Sequence, residues 1–505
     1  MQNRIDNVLI LGGGSAGFLA AITLRYRHPQ LPVTVLRSKE IGVIGVGEAT
    51  TIVLPQHLHD YLKLDLKEFY ALAQPQWKLG IRFLWGKRPF FDYSFNHQLD
   101  SKYQLLPKVT GYYCRGPMDY VGVTSGLMTQ NKVFARDAQG RPIVNNGLAY
   151  HIENVTFVNY LEAIARRMGV TIQEGIVEEV LQDEHGVTGL RVASGAVVAS
   201  DLFVDCSGFV SLLVDKTLHE PYISFTPSLF NDRAVVGSWQ RDDEPIKPYT
   251  TAETMSAGWC WQIDHEFHIN RGYVYSSDFI SDHEAETEFR QKNPKITSTR
   301  VVRYRTGRFV SAWVKNVVAV GNSSGFVEPL ESTGLAAICG QTNVLAEALH
   351  ECDRQIRPSV RELYNRRNAS SWDQIRRFLS IHFKFNYRYE TPYWRACQND
   401  ADIESAADIV ACYQQLGPTT LWRSIMLDPR DQFGTEGYLS LLVGQEVPYE
   451  SSHTPSAEEW SNWERIQQAI RRQVSFGLSV REGLELIRSP KWQWPPNLYG
   501  QSPMM

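Results

Sequence analysis

The sequence predicts an α/β fold in which helices pack on a parallel sheet, with a β-rich insertion and a helical C-terminal lobe. Three observations point there. Asn7-Val8-Leu9-Ile10-Leu11 is an unbroken apolar run, as expected of a strand buried on both faces. Gly12-Gly13-Gly14-Ser15-Ala16-Gly17 follows at once and opens a helix-like segment over 18–27. A second apolar strand at 33–36 then completes a βαβ unit.

Further elements follow in order. Residues 155–168 read as a helix and 170–173 as a strand, followed by a hairpin pattern about Gly195. Leu202-Phe203-Val204-Asp205-Cys206-Ser207-Gly208 is another buried strand ending in a small-residue turn, and 317–322 repeats that design before a helix starting near Ser332. From about 341 the pattern is mainly helical. Ser456-Ala457-Glu458-Glu459 is a capping box opening the helix of Trp460 and Trp463.

Composition removes several function classes. Lys and Arg number 51 against 55 Asp and Glu, which provides no basic surface for nucleic acid or anionic lipid. No apolar run reaches the roughly 18–20 residues that span a bilayer, and the first strand begins too near Met1 to leave room for a secretory signal. Seven scattered cysteines (114, 206, 260, 339, 352, 397, 412) form no CxxC pair. They fit reduced thiols in a soluble, cytoplasmic protein.

Within a βαβ frame, the three spaced glycines serve different needs. Gly12 allows the tight turn, Gly14 lets a pyrophosphate approach, and Gly17 lets helix pack on strand. The helix N-terminus offers free N–H groups to phosphates. This is a dinucleotide-binding, Rossmann-like arrangement. Arg37 and Ser38 stand where an acidic residue usually holds a ribose, so a 2′-phosphate or a stacked adenine is open there. No second GxGxxG occurs.

Four further segments, in order, resemble the flavin-dependent halogenases of the tryptophan halogenase family. They are Ile44-Gly45-Val46-Gly47-Glu48-Ala49-Thr50-Thr51, Trp77-Lys78-Leu79-Gly80-Ile81-Arg82-Phe83, Gly258-Trp259-Cys260-Trp261-Gln262-Ile263, and Gly321-Asn322-Ser323-Ser324-Gly325-Phe326-Val327-Glu328-Pro329-Leu330-Glu331-Ser332-Thr333-Gly334. The resemblance runs from residue 7 to about 400. It implies an FAD domain of the monooxygenase and glutathione-reductase type over 1–345, a β-rich substrate-side insertion at about 210–300, and a helical substrate lobe over 346–505.

The implied chemistry is halogenation of an electron-rich aromatic (an indole, phenol or pyrrole) by hypohalous acid formed from reduced FAD, oxygen and chloride or bromide. A separate flavin reductase would supply the reduced FAD. Lys78 would donate to the hypohalous acid and orient the halogen, or form a haloamine with it, and its apolar neighbours argue for burial rather than the surface position lysine usually takes. Glu331 would polarise the electrophile or take the arenium proton, although a carboxylate at a helix start can simply serve backbone N–H groups. Thr333 and Gly334 would hold halide.

Cofactor contacts are expected at Gly12, Gly13, Gly14, Ser15, Ala16, Gly17, Ser38, Val46, Gly47, Glu48, Ala49, Val177 and Asn322. Trp259 and Trp261, on one face of a strand, would separate substrate from flavin. The motif's closing proline is replaced by Asp264, with His265, Glu266 and His268 following. Strand-end polar groups are ordinarily solvated, and no metal is expected. Asp264 and Arg37 leave a second reading open, a flavin-dependent aromatic monooxygenase, and a non-catalytic flavin binder is a third. Trp372, Trp394, Trp460 and Trp463 are candidates to line the substrate pocket. The oligomeric state is open, a homodimer included.

Overall fold

The computed structural model describes residues 4–42, 47–96, 98–99, 115–419, 428, 431–450 and 454–499. Packing divides the chain into two compact units, each assembled from three separate stretches.

The first unit draws on Met1–Pro75, Ile152–Thr226 and Tyr304–Asp373. Its centre is a six-stranded sheet in the order Thr171–Glu174, Val33–Arg37, Val8–Leu11, Leu202–Asp205, Val317–Ala319, Trp313–Val314. All neighbours are parallel except the last pair. The continuous apolar runs are therefore buried on both faces, as the parallel arrangement demands. The helix Ser15–Arg27 packs against Asn154–Arg167 and Gly334–Glu351. The hairpin expected about Gly195 pairs Gly186–Val192 with Val197–Val198.

The second unit draws on Gln76–His151, Pro227–Arg303 and Gln374–Met505. Its main sheet has seven strands in the order Arg300–Arg303, Arg233–Gln240, His268–Tyr275, Gly258–Asp264, Thr250–Met255, Gly80–Leu84, Phe91–Ser94. Only Thr250–Met255 and Gly80–Leu84 pair in parallel. The β-rich stretch read at about 210–300 thus shares its sheet with strands from before residue 100. The Ser456 box is formed: its hydroxyl accepts from Glu459 N–H at 3.2 Å, and Glu459 accepts from Ser456 N–H at 2.7 Å. Six described cysteines are free thiols; Cys114 lies outside the described residues. Among the described residues no helix is long and apolar enough to cross a membrane.

Candidate active site

In the first unit the glycine turn separates structural from ligand-facing roles. Gly12 has φ +122°, and a Cβ there would lie 2.3 Å from the Cys206 carbonyl oxygen. A Cβ at Gly17 would lie 1.9 Å from the Gly12 carbonyl oxygen. A Cβ at Gly13 would strike the stem of Arg37 at 2.7 Å. Gly14 differs: nothing lies within 4 Å of its Cβ position. That open space fronts the N-terminus of Ser15–Arg27, which has neither a side-chain cap nor an acidic residue in its first turn. These residues fit a pyrophosphate.

Arg37 is committed elsewhere. Its guanidinium donates to Glu162 at 2.5 and 3.1 Å and to Glu174 at 3.0 Å. Two carboxylates neutralise the charge a 2′-phosphate would need, which removes that option. The Ser38 hydroxyl accepts from Glu40 N–H at 3.1 Å. Val177 begins the strand paired with Val192.

Val46 lies outside the described residues, and beyond it Gly47 takes φ +69°. Glu48 and Ala49 are half-buried. Burial pushes the Glu48 carboxyl up to about 7, against the pull of the Asn154 amide that donates to it at 2.6 Å.

The long glycine-rich motif folds as two short 3-10 turns, Gly321–Ser323 and Pro329–Glu331, followed by the helix Gly334–Glu351. A Cβ at Gly321 would come within 3.4 Å of Ala16 Cβ, so the two glycine motifs meet. Asn322 sits on the first turn, half-buried. Glu331 is buried at 2 % exposure, and Ser332 holds a left-handed conformation at φ 59°. Thr333 is the helix N-cap and makes no side-chain cap, so the first-turn N–H groups from Gly334 onward lack intrahelical partners.

Sequence reasoning missed what pins this motif. Gln341 accepts from Gly321 N–H at 2.7 Å and donates to Ser324 at 2.8 Å and to Asn368 at 2.6 Å. Trp372 donates its indole N–H to Ser324 at 3.3 Å. Trp372 therefore belongs to the packing of the first unit. The one available signal was a glutamine inside the apolar run of its helix.

In the second unit, Lys78 ends the strand Gln76–Lys78 and pairs with Ala149. It is fully buried, flanked by buried Trp77 and Leu79, with Nζ 5.1 Å from the Phe95 ring centroid. His151, on the strand paired with that of Lys78, is held down to about 3, first by burial and then by the Lys78 charge. Its Nδ1 lies 3.1 Å from the Asp264 carbonyl and its Nε2 2.9 Å from the Thr250 hydroxyl. A carbonyl only accepts, so Nδ1 carries the proton.

Trp259 and Trp261 are buried with ring centroids 6.0 Å apart. Trp261 lies over Gly272, its cross-strand partner, where a Cβ would be 2.0 Å from the ring. The segment after the motif departs from expectation: Asp264 and His265 are buried, not solvated. Asp264 pairs with Arg241 and accepts from Gln262 at 3.0 Å, because its strand runs inside the sheet. His265 stacks on His268, and Glu266 pairs with Arg488. Trp394 is buried and donates to the Met255 carbonyl at 2.7 Å, Trp463 is buried, and Trp460 is exposed. Lys78 and Glu331 fall in different units.

Residues 7–460 match the tryptophan halogenase family. Tryptophan 7-halogenase RebH of Lentzea aerocolonigenes is 33% identical over 426 residues, covering 78% of this chain and 79% of that protein. Tryptophan 6-halogenase ThaL of Streptomyces albogriseolus is 32% identical over 450 residues, covering 83% and 84%. Among solved structures, MibH, a lanthipeptide tryptophan 5-halogenase, superposes with TM-score 0.86 at 37% identity, covering 95% of this chain and 93% of that one.

Proposed function

The chain belongs to the tryptophan halogenase family, and from that premise we propose that Lys78 and Glu331 are its catalytic pair, acting on an indole with reduced FAD delivered by a separate flavin reductase. The protein is an enzyme that halogenates an electron-rich aromatic, as its relatives do. The burial of Lys78 in an apolar setting carries the residue assignment.

FAD would be held by Gly12, Gly13, Gly14, Ser15, Ala16 and Gly17 at the pyrophosphate, with Ser38, Val46, Gly47, Glu48, Ala49, Val177 and Asn322 completing the site. When bound and reduced it supplies the electrons that, with oxygen and halide, end as hypohalous acid. Thr333 and Gly334 would hold halide through the N–H groups at the start of their helix. The Lys78 ammonium donates to the oxygen of hypohalous acid, which leaves the halogen electron-poor and aimed at the ring. Glu331 accepts the proton from the halogenated ring carbon, restoring aromaticity. Trp259 and Trp261 would keep the arene from the flavin. Asp264 is consumed by Arg241 and so lends hydroxylation no support.

The test is aerobic turnover with FAD, a flavin reductase, NADH, bromide and indole. A brominated indole lost in Lys78→Met, with FAD still bound, is the expected result. A hydroxylated product would overturn the proposal.

A further inference from the structure

We propose that His151 is a positioning residue that fixes where the Lys78 ammonium stands; the inference rests on the reading of Lys78 as catalytic and deepens it. The strand Gln76–Lys78 pairs antiparallel with Ala149–Ile152, Gln76 opposite His151 and Lys78 opposite Ala149. Directly opposed residues, and residues two apart along a strand, share a face. Gln76, Lys78, Ala149 and His151 therefore project from one side of the ladder. Lys78 and His151 are diagonal partners there, about 7–8 Å apart at the backbone and within reach of a long side chain. The Lys78 charge is felt at the ring, where it adds to burial in keeping His151 neutral.

His151 has little freedom of its own. It is fully buried, and both ring nitrogens are engaged. Nδ1–H donates to the Asp264 carbonyl at 3.1 Å, and Nε2 receives the Thr250 hydroxyl at 2.9 Å. These anchors come from two strands of the seven-stranded sheet, Gly258–Asp264 and Thr250–Met255. The chain of Lys78 enters that same sheet two residues later, since Gly80–Leu84 pairs with Thr250–Met255 and Ile81 stands opposite Thr250. His151 thus spans the junction at which Lys78 sits, bonded to strands of the sheet the lysine's chain is about to join.

A lysine alone cannot hold its own head group still. The ammonium rides on a flexible four-carbon stem, and a displacement of about 1 Å at a reacting group can cost about a hundredfold in rate. Ala149, opposite Lys78, presents only a methyl group, and the Phe95 ring lies 5.1 Å from Nζ. A protonated ring in the place of His151 would repel the ammonium, whereas the neutral ring borders it at no Coulombic cost. The role is exerted through Lys78 and requires no contact between His151 and the aromatic.

The experiment compares wild type, His151→Phe, His151→Asn and Thr250→Val as full-length, FAD-loaded proteins. His151→Phe keeps a ring and loses both bonds, while His151→Asn retains an N–H donor where Nδ1 stood. Thr250→Val keeps its shape and removes only the Nε2 bond, which guards against a variant that fails to fold. Crystal structures should show Nζ of Lys78 in place in wild type and His151→Asn, and shifted by about 1 Å in His151→Phe. Under the turnover conditions above, kcat for bromoindole should fall about tenfold in His151→Phe. Thr250→Val should lose about threefold, the loss of one hydrogen bond, and His151→Asn should stay close to wild type. KM for bromide and FAD affinity should not change. Hypobromite caught by a dimedone trap in solution should rise as bromoindole falls, because oxidant that Lys78 does not hold escapes. An unmoved Nζ in His151→Phe overturns the inference, and so does a loss of kcat matched by an equal loss of FAD affinity. Absence of both bromoindole and hypobromite from the wild type would instead count against the halogenase reading, while the position of Nζ would still decide this one.

Discussion

The Arg241 guanidinium donates to the Asp264 carboxylate at 2.5 Å, with the two side chains only 2 % and 0 % exposed. Arg241 also donates to the carbonyls of Glu244, Pro245 and His265, so its charge is fully enclosed by acceptors. The Asp264 carbonyl in turn receives the His151 ring, which feels the Lys78 charge. Asp264→Asn removes the counter-charge and leaves the guanidinium buried, a loss of about 3–5 kcal/mol. Denaturant unfolding should show it. The paired change Asp264→Leu with Arg241→Met should recover most of that loss, since no charge is then stranded.

Gly14 and Gly17 should fail in opposite ways. A Cβ at Gly14 meets no protein atom within 4 Å, so Gly14→Val should fold with a near-native melting temperature yet purify without FAD. Gly17→Val drives its Cβ into the Gly12 carbonyl and should lower the melting temperature or abolish soluble expression. A yellow Gly14→Val protein would displace the cofactor from this turn.

What the sequence made legible was local. The first strand, glycine turn and helix lie where periodicity placed them, and the Ser456 box caps its helix as written. Lys78 is buried as its apolar neighbours implied. What stayed hidden depends on partners far along the chain. Arg37 looked available for a phosphate because Glu162 and Glu174 are 125 and 137 residues away. Asp264 looked like a solvated strand end because its counter-ion comes from a neighbouring segment. Trp372 looked like a pocket wall, and only folding shows that its N–H serves Ser324. Pattern reports which face is apolar; it does not report who occupies the other side.

Acid should weaken the fold. Burial holds His57 and His151 down to about 3 and His59 to about 4, from an ordinary 6.5. Each folded pKa is depressed, so between it and 6.5 the unfolded state binds more protons. That stabilisation is complete above pH 6.5 and drains away as pH falls. Glu48 runs the other way: raised from 4.5 to about 7, its contribution is complete below 4.5 and is lost as pH rises through 7. Between 6.5 and 4.5 these three imidazoles, joined by His28 and His265, which burial also holds low, oppose the Glu48 carboxyl, and the melting temperature should fall on acidification. Glu48→Gln should steepen that fall, because it removes the opposing group. A melting temperature that climbs from pH 6.5 to 4.5 would refute the assignment of these rings as buried and neutral.

Gln341 should couple stability to cofactor affinity. Its carbonyl is the acceptor for Gly321 N–H, and its NH₂ joins Ser324 to Asn368, so one side chain fixes the turn that meets Ala16. Gln341→Met keeps the volume and removes every bond. Gly321 N–H is then buried without a partner, at a cost of about 1–3 kcal/mol. Because that turn carries Asn322 toward the proposed cofactor site, FAD affinity measured by fluorescence titration should drop about tenfold alongside. Asn368→Ala removes a single bond from the far end of the network and leaves Gly321 satisfied, so it should cost stability with little change in FAD affinity. If the two variants lose affinity equally, the turn is held by the helix as a whole and not by the Gln341 carboxamide.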